Sequence, residues 1–226
     1  AIVVTDACNE EVFAAALKDL VLPPDSGSVS LEVYPSDFSE DDEKRCGQLA
    51  SSCKLLVSCE RSGPGKDGNC YTMRGINMTE KSLIAPLHRL VEESNSPFIA
   101  IGDGGNELGM GKVIDNIINN PKISNGEQIG CVVAADYLVA ASVSNWGGYA
   151  LATAVALACA ERKSEDRNKW VERCLPSEQE EIALLDRCVA VGCRDGVSGK
   201  MEATVDGMPL ETSMQCLRDI RDAALS

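Results

Sequence analysis

Five short apolar runs, each fit to be buried on both faces, punctuate this chain and most constrain its fold: "AIVVTD", "SVSLEVYP", "KLLVSCE", "PFIAIGD" and "CVVAAD". Stretches with helical periodicity separate them, such as "NEEVFAAALKDL" and "SEDDEKRCGQLASS", the latter with an acidic first turn that suits a helix dipole. Continuous Val/Ile/Ala/Leu strands alternating with helices predict an α/β class: a three-layer, mainly parallel, Rossmann-like sheet flanked by helices. "EKSLIAPLHRLVEES" and residues 112–119 are expected to be helical, and "WGGYALATAVALACAERK", apolar nearly all round, to be a central buried helix. Helices are expected again over 165–173, 177–191 and 209–224. "KMEATVDGMPLE" between the last two is expected to supply a strand and turn, giving a helical and β-hairpin C-terminal extension. No repeat or internal boundary is visible, so residues 1–226 are taken as one domain. The opening "AIVVTD", already strand-like, sets the expectation of a fragment of a longer chain.

Four of the runs end in an acid: Asp6, Glu60, Asp103 and Asp136. In an open parallel sheet the carboxyl ends of the strands form the ligand crevice, so these acids are expected along one edge. Gathered there, they would repel one another unless a cation, a proton or hydrogen bonds compensated.

The segment "PFIAIGDGGNELGMGKVID" crowds glycines against a strand end. A dinucleotide fingerprint fails, because with Gly102 and Gly104 as its first two glycines the third position is Glu107. A phosphate-binding P-loop fails too: Asn106 stands at the required glycine and Val113 where Ser or Thr belongs. What remains is a loop with hard oxygen donors, which suit Mg²⁺ or Mn²⁺. Glu60, Asp103, Asn106 and Glu107 are the candidate metal ligands. Gly104 and Gly105 would leave N–H groups open to an anionic substrate. The polar loop "RSGPGKDGNCY" and its continuation are expected to be mobile and carry Arg61, Lys66 and Arg74; Arg61 and Arg74 are candidates to hold a substrate carboxylate. "SVSNWGG" opens the long helix, with Ser144 or Asn145 as its cap and Asn145 a candidate substrate contact. Trp146 is expected to pack.

Charge and cysteine usage remove other classes. A net charge of −14 argues against nucleic acid or anionic membranes as partners. The apolar run from Cys131 to Ala160 is interrupted by Asp136, Asn145 and Gly147-Gly148, too early to span a bilayer. Eleven cysteines without a CxxC spacing predict free thiols in a reducing compartment. The single histidine, His88, leaves little room for zinc or for His-based triads and is expected to have a surface or packing role.

The stretches "IGDGGNELGMGKV", "ADYLVAASVSNWGGYALA", "YTMRGINMT" and "DGVSGKMEATVDGMPLE" together resemble the D-glutamate cyclase-like C-terminal domain family. The resemblance implies an α/β fold, a mitochondrial matrix location and a carbon–oxygen hydro-lyase activity, cyclising D-glutamate to 5-oxo-D-proline and water. It also implies an upstream hydro-lyase-like domain in the same polypeptide, and a Gly-rich segment before the first strand, without which the isolated domain is expected to be weak or inactive. Lactam formation needs a base for the amine, polarisation of a poor electrophile and protonation of the departing oxygen. Asp103 and Glu107, with Glu60, are the candidates for metal and base; Lys112 and Arg74 are candidates for charge stabilisation. A metal-dependent phosphatase, or a non-catalytic ligand-binding domain of a larger hydro-lyase, fits the same residues.

Overall fold

A computed structural model describes residues 1–20, 22 and 27–226. They gather into two compact units. One comprises Ala1–Val3, Asn9–Leu31 and Asn145–Ser226; the other comprises Val4–Cys8 and Glu32–Ser144.

The second unit holds a three-stranded parallel sheet in the order β3 (Leu56–Cys59), β4 (Phe98–Gly102), β5 (Tyr137–Ala140). Register pairs Cys59 with Ile101 and Ile101 with Val139. β4 is central because "FIAIG" carries apolar or small residues on both faces, and Phe98, Ala100 and Ile101 are buried. Leu108, Cys131 and Ala135 pack with Phe98 and Ala100. A second cluster joins Tyr34, Cys46, Ala50, Ala85, Leu87 and Leu90. β1 (Ile2–Asp6) and β2 (Ser30–Tyr34) form a separate pair. α2 (Glu40–Ser52) starts where the sequence prescribes, at a capping box in which Ser39 and Asp42 satisfy each other's backbone N–H. The α/β class is borne out, and its parallel sheet is consistent with a Rossmann-like plan.

Three expectations fail here. "CVVAAD" forms no strand: β5 begins after Asp136, and Val132 N–H and Val133 C=O bond instead to Pro64 and Gly111. "EKSLIAPLHRLVEES" is mostly turns, with only α3 (Arg89–Glu92) helical, because Pro86 cannot donate to a helix running through it. The loop after Glu60, expected to be mobile, is closely hydrogen-bonded: Gly63, Pro64 and Gly65 are buried, and Gly65 N–H reaches Asn69 C=O at 2.8 Å. The helical segment expected over 112–119 is a 3-10 turn (Gly111–Val113) leading into α4 (Ile114–Ile118), followed by the short α5 (Gly126–Ile129).

In the first unit, α6 (Ser144–Lys163, whose first residue belongs to the second unit), α7 (Arg167–Cys174) and α9 (Leu210–Leu225) share a core of Tyr149, Ala156, Ala160, Trp170, Val171, Leu175 and Leu217. α8 (Glu178–Ala190), opened by a Ser177/Glu180 capping box, packs with α1 (Glu10–Leu17). α6 is not buried all round. Tyr149, Thr153, Ala156 and Ala160 make a stripe at four-, three- and four-residue spacing, while Val155 is exposed. Its small alanines allow close packing on one face and tolerate water on the other. Trp146 packs on this core and donates to Ser213 Oγ. The expected hairpin is a turn with a single Val205–Met208 bridge, organised by the buried Asp195, which accepts from Val197, Ser198 and Gly207 N–H and from Thr204 Oγ1. All eleven cysteines are free thiols. Among the described residues, no helix is long and apolar enough to cross a membrane.

One buried pair in this unit makes stability depend on pH. Tyr149 donates its hydroxyl to Glu181 at 2.6 Å, and both residues are buried. Burial raises the Glu181 pKa above its ordinary 4.5, and the Tyr149 hydrogen bond only partly opposes it. The folded state therefore holds this proton more tightly than the unfolded state. The stabilisation it contributes is complete below about 4.5 and is lost as pH rises through the elevated folded value. Glu181→Gln keeps an acceptor for Tyr149 and cannot ionise. Thermal melts of both proteins should show the variant gaining on wild type as pH climbs from 4.5 to 8. A wild-type advantage that grows with pH would refute the linkage.

Candidate active site

The site is built where β3 and β4 end. Glu60 directly follows β3, and its N–H continues the ladder to Ile101 C=O at 3.1 Å. Asp103 directly follows β4. The glycine loop then turns back and carries Glu107 between them. One oxygen from each of Glu60, Asp103 and Glu107 lies within 4.8 Å of the other two.

Two loops are zipped together to hold this geometry. Ser62 bridges Glu107, Gly63 N–H donates to Asn106 C=O at 2.9 Å, and Leu108 N–H donates to Arg61 C=O at 2.6 Å. Glu60 sits at φ +55°, a left-handed conformation that a residue with a Cβ adopts only when its surroundings enforce it.

Glu107 explains the glycines. It is 1% exposed, and its two oxygens accept Gly104 N–H at 2.8 Å and Gly105 N–H at 2.7 Å. The N–H groups expected to face an anionic substrate are thus spent on the protein's own carboxylate. A Cβ at Gly104 would come within 3.0 Å of Glu107 Oε1 and 2.7 Å of Met73 Sδ, so a larger residue would have to displace the Met73 side chain and crowd the carboxylate.

Ser144, the first residue of α6, completes the group. Its hydroxyl donates to Glu60 Oε2 and its N–H donates to Asp103 Oδ2 at 3.0 Å. Cys59 Sγ lies 3.7 Å from Ser144 C=O. Desolvation by its neighbours, followed by the Glu60 and Asp103 charges, pushes the thiol of Cys59, an exposed residue, up to about 11.

The remaining sequence candidates go elsewhere. Asp6 and Arg61 bind each other through two oxygens at 2.5 and 3.0 Å, and Arg61 also donates to Ala85 C=O. Asp136 is at the wrong end of the sheet: it precedes β5, and its carboxylate accepts Phe98 N–H at the start of β4. Lys112 Nζ donates to the Ala135 and Asp136 carbonyls at that same end. The four steps of β4 from Phe98 to Gly102 put it about 13 Å from the acids. The four-acid edge therefore reduces to Glu60 and Asp103, joined by Glu107. Asn106 is buried, and its amide donates to Tyr71 C=O at 2.6 Å. Arg74 is exposed on the loop after Tyr71, and Lys66 is exposed near Glu127. Asn145 falls in the other unit. His88 is half-buried at the start of α3, where burial holds its imidazole below the usual range and neutral.

Three carboxylates this close repel one another, and the backbone N–H groups on Asp103 and Glu107 offset part of that as dipoles. Hard oxygen donors on two adjacent strand ends are the donor set that Mg²⁺ or Mn²⁺ takes.

A model of the family described as D-glutamate cyclase-like, C-terminal, matches residues 1–221. The Homo sapiens protein D-glutamate cyclase, mitochondrial, is 39% identical over 175 residues, covering 70% of this chain and 28% of that protein. The chain thus spans less than a third of the length of this curated relative.

Proposed function

The chain belongs to the D-glutamate cyclase-like, C-terminal family, and from that premise we propose that Glu60, Asp103 and Glu107 hold Mg²⁺ or Mn²⁺ in a site that assists closure of D-glutamate to 5-oxo-D-proline. The convergence of the three carboxylates within 4.8 Å at two parallel strand ends carries this reading. A bound divalent ion would supply Lewis-acid polarisation of the substrate γ-carboxyl group. The protein's own residues do the rest. Glu107, buried and fixed by two N–H groups, serves as the rigid anchor of the group. Asp103 can take a proton from the substrate ammonium, since only the neutral amine attacks. The new C–N bond forms at the carbon of the γ-carboxyl group, one C–O bond of that carboxyl breaks, and the oxygen leaves as water with the two protons that the ammonium gives up. Arg74, exposed beside the site's loop, is the candidate for the substrate α-carboxylate.

A mitochondrial location follows from the human relative's name and belongs to the same proposal, as does an upstream hydro-lyase-like domain within a longer polypeptide. That longer polypeptide is expected to turn over faster than the 226-residue chain.

Calorimetry with Mn²⁺ on wild type and Asp103→Ala, alongside a 5-oxoproline assay on the same proteins, tests the reading. Mn²⁺ should bind wild type, and the variant should bind more weakly by more than the roughly 10–100-fold that losing a group which only orients a ligand costs. Equal binding returns the loop to a tight turn with acids that only cap N–H groups. Mn²⁺ binding with turnover of a phosphate ester and none of D-glutamate transfers the site to a phosphatase. Mn²⁺ binding without any turnover, in the presence of an active upstream domain, makes this chain a ligand-binding partner.

A further inference from the structure

We propose that Ser144 is the positioning residue of this site, setting the Glu60 and Asp103 carboxylates against each other; the inference rests on the metal-site reading above. Ser144 is 1% exposed, too enclosed to act as a nucleophile. It nevertheless touches both acid-bearing strand ends through different atoms. Its Oγ–H donates to Glu60 Oε2, its N–H donates to Asp103 Oδ2 at 3.0 Å, and its carbonyl lies against Cys59 Sγ at 3.7 Å.

The topology explains why this residue has the task. β3 and β4 each end in a carboxylate, while β5, paired to β4 in parallel, ends without one. Its continuation runs along the same edge, with Ala141 N–H bonded to Gly102 C=O, and delivers Ser144 three residues later. The third strand therefore contributes donors to the acids of the other two. The hydroxyl matters most for Glu60, whose backbone is in the left-handed region at φ +55° and whose side chain leaves β3 in a direction that strand geometry does not fix. The N–H to Asp103 survives any substitution except proline, so the hydroxyl's share can be removed by itself.

Groups that orient metal-binding side chains typically govern affinity by about 10–100-fold. The test is Mn²⁺ calorimetry, with thermal melts, on wild type, Ser144→Ala, Ser144→Thr, Glu60→Gln and the Ser144→Ala/Glu60→Gln pair. Ser144→Ala should bind Mn²⁺ about 10-fold more weakly with an unchanged melting temperature, and Ser144→Thr, which restores the hydroxyl, should recover most of the loss. In the Glu60→Gln background, Ser144→Ala should cost little more, because the carboxylate it orients is already gone. Binding by Ser144→Ala within about twofold of wild type, or fully additive losses in the double variant, overturns the inference while leaving the metal site standing. Absence of Mn²⁺ binding by wild type overturns both.

Discussion

Glu107→Ala should lose Mn²⁺ binding and a large share of stability together, whereas Asp103→Ala should lose mainly the former. The difference follows from where the two carboxylates spend their oxygens. Glu107 is 1% exposed and accepts Gly104 N–H with one oxygen and Gly105 N–H with the other. Alanine strands both donors in a loop that the chain has shaped around this side chain, at a cost of about 1–3 kcal/mol for the buried Gly105 N–H and less for the part-buried Gly104 N–H. Glutamine is no substitute, because its amide nitrogen would face one of the N–H groups. Asp103 accepts only one described N–H, from Ser144 at the start of α6, and losing such a cap costs about 1 kcal/mol. Denaturant unfolding and calorimetry on the two alanine variants should separate them: both weaker for Mn²⁺ by more than the roughly 10–100-fold that losing a merely orienting group costs, but only Glu107→Ala strongly destabilised. A Glu107→Ala protein as stable as wild type would mean that the glycine loop does not depend on this carboxylate.

Glu60 and Asp103 were legible in the sequence because an acid closing a run of buried strand residues has one natural place in a parallel sheet. Asp136 misled for the same reason. "CVVAA" is as apolar as "FIAIG", but its backbone partners are Pro64 and Gly111, in loops distant in sequence, and composition does not say which neighbour supplies a ladder. Gly104 and Gly105 were recognised as places where N–H groups point outward. Their partner was in view, since a carboxylate two and three residues on can fold back to accept both, and that local spacing is the signal that identifies Glu107 as their acceptor. Ser144 was legible as a helix cap but not as a donor to two acids, because those acids lie 84 and 41 residues away. Arg61 is the clearest case of information the sequence does not carry. It was expected to hold a substrate carboxylate, and the carboxylate it binds in the structure is the protein's own Asp6.

That pairing sets the second large effect. Asp6→Ala should destabilise the protein by roughly 3–5 kcal/mol, the cost of leaving one member of a buried ion pair without the other. Asp6 is 5% exposed; its carboxylate accepts two bonds from the Arg61 guanidinium and a third from Ala85 N–H at 2.5 Å. Removing it leaves that N–H unmet and a full positive charge that, among the described residues, keeps the Ala85 carbonyl as its acceptor. The damage should reach the site, because Arg61 follows Glu60 in the chain and its own carbonyl holds Leu108 N–H, next to Glu107. Mn²⁺ affinity should therefore fall in Asp6→Ala although Asp6 is not a ligand. Replacing both partners, as Asp6→Ala with Arg61→Met, removes the stranded charge and should restore a good part of the lost stability, since apolar replacement of a whole buried pair is often close to neutral. Urea unfolding of the three proteins decides the matter. A single variant within about 1 kcal/mol of wild type, or a double variant no more stable than the single, would show that water reaches this pair and that Arg61 is not the strut on which Glu60 is set.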